Sequence, residues 1–246
     1  MESLRKKLQQ EIHQQPDQQI QQSVIWGLPV QLVKVRYTTI KRTTMDILMK
    51  MILLTIQKLE VSDPKVVADF LAVEPLFIED LVNRMQLTNM IRQRKEVFEL
   101  TQVGVEQLQA GIYEHPAEKK EKNFYYSACH HAILCEEQEK PISANITPFR
   151  LAKKQINEIE DVDQEQWRDA LLSAGAETTE GSLQMVLDNI ETPTSIDNLL
   201  IPCVEFSVYN RVEKLYVTRV WNTLLQQWDE RLEKLIDEVD PLKKKR

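Results

Sequence analysis

The residue types best suited to metal or covalent chemistry lie together in one short stretch, which contains Cys129, His130, His131 and Cys135. Thiolate and imidazole are ligands that zinc prefers, but a structural zinc site usually takes a ligand pair from each of two loops. If the stretch is a strand, Cys129 and Cys135 lie about 20 Å apart at roughly 3.3 Å per residue, too far to share one ion. We therefore predict no metal and no cofactor, and keep as a minor alternative a zinc enzyme in which Cys203 or His115 adds a ligand.

Covalent catalysis is equally poorly supported by the sequence. A cysteine nucleophile needs a histidine base within hydrogen-bond reach, and neighbouring side chains on a strand point to opposite faces. The sequence contains no HExxH zinc motif, no phosphate-binding loop and no dinucleotide fingerprint, and it has only five glycines. We therefore predict a protein that is not an enzyme and has no catalytic residues.

Composition indicates an ordinary globular chain that works inside the cell. Of its 246 residues 42% are hydrophobic and 28% charged, with a net charge of −7. An odd number of cysteines, three, does not suggest a disulfide framework. The N-terminus lacks the apolar stretch of a secretory signal, and the apolar run 45–59 is too short and too charged to span a bilayer. We expect a cytoplasmic protein without a membrane partner.

Residues 62–108 contain the signals of a compact helical module with a hairpin. Ser62 is a favourable cap for a helix that runs to residue 71, and Pro75 opens a second helix. Residues 91–94 and 97–100 form two short strands around a turn, and Thr101 caps a last helix. The second helix has a predicted buried face at three- and four-residue steps, made of Phe77, Ile78, Leu81, Val82 and Met85.

Two phrases of this module, LVNRMQLTNMI before the hairpin and LTQVGVEQL after it, resemble the winged-helix domains of bacterial regulators of the multiple-antibiotic-resistance-regulator type. The resemblance covers residues 46–111, a quarter of the chain. It implies a winged helix-turn-helix fold whose second helix would lie in the major groove of DNA.

The positions that would then contact base edges carry unsuitable chemistry. By register against that family they are Phe77, Glu79 and Asp80, with Glu74 just before the helix. Carboxylates repel the phosphates that line the groove. We therefore predict that this face binds a protein partner. The sequence leaves two alternatives for Phe77, since the ring is an ordinary core residue if buried and an anchor for a partner if exposed.

A DNA-associated transcriptional regulator is the alternative function. Its contacts would run through a basic arm and wing, whose candidate residues are Lys34, Arg36, Arg84, Arg92, Arg94 and Lys95. The same residues also suit a merely solvated surface. A homo-oligomer remains open.

For the whole chain we predict an α+β fold in three parts. Residues 1–40 form an N-terminal arm and strand, residues 41–115 the winged-helix domain, and residues 123–246 an α+β domain. Within them we expect a linker at 14–22, strands at 30–37, 200–209 and 213–220, and paired strands within 123–137. We expect helices at 149–160, 164–174 and 182–191, and a loop at 192–198. A long amphipathic helix should open at Trp221, with an apolar stripe of Trp221, Leu224, Leu225, Trp228, Leu232, Leu235 and Ile236.

Overall fold

The computed structural model describes residues 1–137, 146–152, 159 and 162–239, and it has a mixed α+β fold, as the sequence predicts. The helices are α1 (Glu2–His13), α2 (Ile47–Lys58), α3 (Pro64–Leu71), α4 (Pro75–Leu87), α5 (Gln102–Ala110), α6 (Gln164–Ser173) and α7 (Glu230–Val239). The strands are β1 (Gln18–Thr44), β2 (Ile91–Arg94), β3 (Val97–Leu100), β4 (Ile112–Glu114), β5 (Glu118–Ser127), β6 (Ala132–Glu136), β7 (Thr178–Glu180), β8 (Leu183–Ile190), β9 (Thr194–Asn210), β10 (Leu215–Asn222) and β11 (Gln227–Trp228).

The chain divides into two compact units. Unit one comprises residues 1–36, 121–174 and 191–246, and unit two comprises residues 37–120 and 175–190. Residues 175–190, which the sequence analysis assigned to the C-terminal domain, therefore cluster with the helical module. No helix among the described residues is both long enough and apolar enough to cross a membrane.

Unit one is built on a large sheet with the strand order β11-β10-β9-β1-β5-β6. Strand β9 pairs antiparallel with β1, from Gln18 opposite Asn210 to Lys34 opposite Thr194. Alternate side chains of β9 enter different cores, since Val204, Phe206 and Val208 pack with Leu8 and Ile12 of α1. Ile201 and Cys203 pack instead with Leu232 and Ile236 of α7. Both faces of β9 are covered, which explains its nearly continuous apolar run.

Unit two holds four helices and a hairpin around one core. This core includes Ile52, Leu53, Val67, Ile78 and Met85, which are buried together. Side-chain caps begin three of the helices: Asp46 accepts from Leu48 N at 2.7 Å, Asp63 from Lys65 N at 2.9 Å and Thr101 from Gly104 N at 3.1 Å. The cap of α3 is thus Asp63 and not Ser62.

Strands β1, β4, β7 and β8 complete unit two. The last part of β1 pairs antiparallel with β8, from Tyr37 opposite Ile190 to Arg42 opposite Gln184. It also pairs with β4, and β7 pairs with β8. The helix predicted for residues 182–191 is therefore wrong. Its Leu, Met and Gln residues favour a helix locally, but pairing with β1 determines the conformation.

The C-terminal prediction also needs correction, because the segment that begins at Trp221 is not helical until Glu230. Trp221 and Trp228 lie opposite each other on the antiparallel strands β10 and β11, with ring centroids 5.4 Å apart. Two residues seven positions apart can share a helix face after two turns, or meet across a hairpin. The tryptophan spacing therefore suited both structures, and α7 supplies only the end of the predicted stripe.

Some of the remaining predicted strands and helices are present in the structure, and two predicted irregular segments are not. The strands at 30–37, 200–209 and 213–220, the paired strands within 123–137 and the helix at 164–174 are confirmed, with shifted bounds. The linker at 14–22 and the loop at 192–198 are wrong, because β1 begins at Gln18 and β9 begins at Thr194. The helix expected at 149–160 falls largely outside the described residues.

Gly104 gives a direct test of packing in unit two. A Cβ atom at this position of α5 would lie inside van der Waals contact of the Met90 carbonyl oxygen, which is backbone and already accepts from Thr101 N. We therefore expect Gly104→Ala to lower the free energy of unfolding by about 1–3 kcal/mol, since the backbone must shift to make room. Urea unfolding measures it, with Gln109→Ala on the exposed side of α5 as the control. Equal stability of Gly104→Ala and wild type would contradict this packing.

Candidate functional site

The rotation of helix α4 about its axis is determined by three buried side chains. Ile78, Val82 and Met85 recur at four- and three-residue steps and lie in the core of unit two. Leu81 is only partly buried against that core. With 3.6 residues per turn, Leu76 lies on the opposite side of the helix from these three residues, and Phe77 lies at about a right angle to them. Both side chains are exposed.

Four large apolar side chains are exposed on either side of the turn between α3 and α4. Their exposed fractions are 52% for Val66, 65% for Phe70, 68% for Leu76 and 61% for Phe77. We call these four residues the α3–α4 surface. Val66 and Phe70 are four positions apart and share one face of α3. Single exposed apolar residues are normal, but several close together are typical of contact sites.

This geometry resolves the two alternatives for Phe77. The ring is not part of the buried face of α4, so its inclusion in that face was wrong. The exposed alternative, in which Phe77 is available as an anchor, agrees with the structure. Sequence reasoning missed Leu76, Phe70 and Val66. A usable signal was that residues 66–77 contain just two charged side chains, Asp69 and Glu74, in an otherwise apolar run, more than two short helices bury.

The predicted acidic residues flank this surface. Glu74 and Asp80 are exposed, and Glu79 is partly buried. Asp80 forms an ion pair with Arg84 at 2.8 Å, one helical turn further on. Arg84, a candidate DNA contact, therefore already has a carboxylate partner on its own helix.

The other basic candidates lie on the hairpin of unit two and in unit one. Arg92 pairs with Glu99 across β2 and β3 at 3.5 Å. Arg94 and Lys95 are exposed at the hairpin turn, where they form no ion pair with any described residue. In unit one, Lys34 and Arg36 lie 3.1 Å and 3.9 Å from Glu121. Exposed pairs of this kind are weak, but they leave few uncompensated positive charges for phosphates.

The cysteine–histidine stretch occupies the turn between β5 and β6 and the strand β6 itself. Within the described part of the chain, no group of three His, Cys, Asp or Glu residues is placed to hold a metal ion. Burial and the nearby Asp229 raise the pKa of Cys129 to about 11. The thiol is therefore protonated at neutral pH, which makes it a poor nucleophile and a poor ligand.

Sequence reasoning missed a buried polar network beside this turn. His130 Nδ1 lies 2.8 Å from Ser127 Oγ, and His130 Nε2 lies 3.0 Å from Asp229 Oδ2. Asn222 Nδ2 donates to Asp229 Oδ2 at 2.8 Å, and Leu232 N donates to Asp229 Oδ1 at 3.2 Å. His130 and Asp229 are 99 positions apart, so no local pattern could have paired them.

The combination of serine, histidine and aspartate also occurs in hydrolases, where the serine attacks a substrate. Here Ser127 has an exposed fraction of 0%, so no substrate reaches its hydroxyl group. The network instead fastens the β5–β6 turn to the start of α7, where Asp229 is the capping residue. Burial acts to raise the pKa of Asp229, but hydrogen bonds from His130 and Asn222 outweigh it and the pKa is lowered.

No protein-family model, curated protein or solved structure matches this chain. Its function therefore has to be argued from its own residues. Within the described part of the chain, the four apolar side chains of the α3–α4 surface are exposed and do not belong to the core of unit two. The network around Asp229 is buried and links the β5–β6 turn to the start of α7.

The network makes a prediction about stability and pH. Asp229→Asn removes a buried charged acceptor and should lower the free energy of unfolding at pH 7 by about 1–3 kcal/mol. Because the folded-state pKa of Asp229 is lowered, its contribution is present above the ordinary value of 3.8 and is lost as the pH falls through the folded value. The difference in the free energy of unfolding between variant and wild type should therefore shrink as the pH falls below 3.8. Urea unfolding across the acid range measures this, with the exposed Asp169→Asn as the control. A gap that does not change with pH would contradict the assignment.

Proposed function

We propose that the chain is a non-enzymatic interaction protein that binds a protein partner through the α3–α4 surface. The observation that carries the proposal is the exposure of Phe70 and Phe77 on either side of one turn. Aromatic side chains are the commonest anchors of protein interfaces, because each buries a large apolar area and loses little conformational entropy. Glu74, Glu79 and Asp80 would lie at the rim of the contact.

We also propose that residues 46–111 are a winged-helix module. The order α2-α3-α4-β2-β3-α5 supports this, since it gives a helix-turn-helix followed by a two-stranded wing and a further helix. Strands β2 and β3 pair antiparallel from Ile91 opposite Leu100 to Arg94 opposite Val97. In this proposal, a fold that commonly binds DNA carries a surface whose apolar and acidic side chains suit a protein partner.

Burial of the four apolar side chains against a partner would contribute favourably to the free energy of binding. Fully burying a Phe, Leu or Val side chain contributes about 1.5–3 kcal/mol. The four side chains are still 52–68% exposed, so covering the remainder contributes about 1–2 kcal/mol each, which offsets part of the several kcal/mol that association costs in lost freedom. In the free protein the same side chains contribute little, because they remain largely in water. We propose a cytoplasmic location for this contact, supported by the three free cysteines.

DNA association through the wing is the second candidate function. The observation that favours it is the exposed pair Arg94 and Lys95, which form no ion pair with another residue of the described chain. Glu96 and Glu99 flank the same hairpin, and each reduces the local positive potential. Because these positive and negative charges nearly cancel, the wing would bind phosphates weakly, and the acidic residues of α4 would weaken that binding further.

Affinity purification from the source cells tests the proposed function. We expect wild-type protein to retain at least one protein that the double variant Phe70→Ser/Phe77→Ser loses, because the variant removes both anchors. Val212→Ser, an equally exposed position at 70% in a turn of unit one, is the matched control and should behave as wild type. Identical protein sets from wild type and the phenylalanine variant would contradict the proposal.

Titration of labelled duplex DNA separates the two candidates. We expect no binding by fluorescence anisotropy at about 50 mM salt, where phosphate contacts are strong. Binding that collapses at about 200 mM salt and disappears in Arg92→Gln/Arg94→Gln/Lys95→Gln would support the DNA-associated function instead.

A further inference from the structure

We infer that the α3–α4 surface takes a basic amphipathic helix of another protein. This inference rests on the proposed function and adds the chemical class of the partner. Four exposed apolar side chains, Val66, Phe70, Leu76 and Phe77, form the apolar part of this surface. A partner helix matches such a set with apolar residues at three- and four-residue steps along one stripe.

Charge determines what flanks that stripe. Residues 62–80 contain five acidic side chains and one basic side chain, Lys65. Asp69, Glu74 and Glu79 form no ion pair with any residue in the described ranges, so their negative charges are not compensated locally. A partner with lysine or arginine on both sides of its apolar stripe would place cations against these carboxylates.

The same charges disfavour other occupants. A second copy of this chain, bound through the same face, would bring two sets of uncompensated carboxylates together. Nucleic acid and an anionic membrane surface are both negatively charged and would also be repelled. A protein segment with an excess of positive charge is the occupant that fits.

The backbone of the surface explains why the partner is helical. The surface consists of side chains from two helices, whose internal N–H and C=O groups are already paired within each helix. It therefore offers no strand edge to an extended peptide. A segment buried on it must pair its own backbone groups, because unpaired groups are costly away from water. A helix pairs its backbone groups within itself, whereas an extended segment would find no backbone partners on this surface.

A labelled peptide of about 16 residues, or roughly 24 Å of helix, is a suitable probe. It carries leucine along one stripe and lysine and arginine on both flanks, and a matched acidic peptide replaces each basic residue by glutamate. With the full chain we expect the basic peptide to bind with a Kd of about 10 µM or tighter. Phe70→Ser/Phe77→Ser and Glu74→Lys/Glu79→Lys should each weaken this binding by about tenfold or more, while Val212→Ser leaves it unchanged. The acidic peptide should bind the Glu74→Lys/Glu79→Lys variant better than wild type.

Failures of the two proposals are distinguishable in this design. If the acidic peptide binds wild type as tightly as the basic one, and binding still requires Phe70 and Phe77, the partner class is wrong but the docking surface stands. If the basic peptide does not bind, or binds the phenylalanine variant as well as wild type, this inference is overturned. Circular dichroism of each variant, compared with wild type, separates loss of contact from loss of fold.

Discussion

The burial of Ile78, Val82 and Met85 is the constraint on which the candidate surface depends. These three side chains fix the face of α4 that lies against the core. Leu76 is then on the opposite side of the helix and Phe77 beside the buried face, and both are exposed. The left-handed conformation of Ala72 reverses the chain between α3 and α4, which places their exposed apolar residues on either side of one turn. Core packing in unit two thus determines which apolar side chains are exposed on its surface.

Unit one contains buried polar networks. Several of its buried polar residues are paired: Glu205 accepts hydrogen bonds from Trp26 Nε1 at 2.6 Å and from both terminal nitrogens of Arg150. Asp229 similarly collects donors from His130, Asn222 and the start of α7. Such networks specify one arrangement of strands and turns, because an unpaired buried group would be costly. In unit one, Ser127, His130 and Asp229 thus take part in one such network.

Local signals made a large part of unit two predictable. The Thr101 cap, the β2–β3 hairpin and the buried step pattern of α4 were all visible as short-range patterns. Strand β8 was not visible, because its helix-favouring residues adopt a strand only through pairing with β1. The Trp221–Trp228 pair was misassigned because its spacing fits two structures.

The candidate site was predictable only in part. Glu79 and Asp80 could be placed on one helix from sequence, with Glu74 just before it, and the charge of the three residues argued for a protein partner over DNA. The exposure of Phe77 could not, since five apolar residues formed a stripe wider than the helix buries. His130 and Asp229 are far apart in the sequence, so their pairing depends on how distant segments of unit one fold together. No local pattern encodes such a pairing.

Photo-crosslinking from position 77 tests the central claim most directly. A benzophenone amino acid in place of Phe77 reports what lies within a few ångströms of the ring in the source cells, and the same probe at the exposed Val212 is the reference. The account predicts a discrete protein adduct from position 77 that is absent from position 212 and is lost when Phe70 is also changed to serine. The same adducts from both positions, or an adduct with nucleic acid alone, would contradict it.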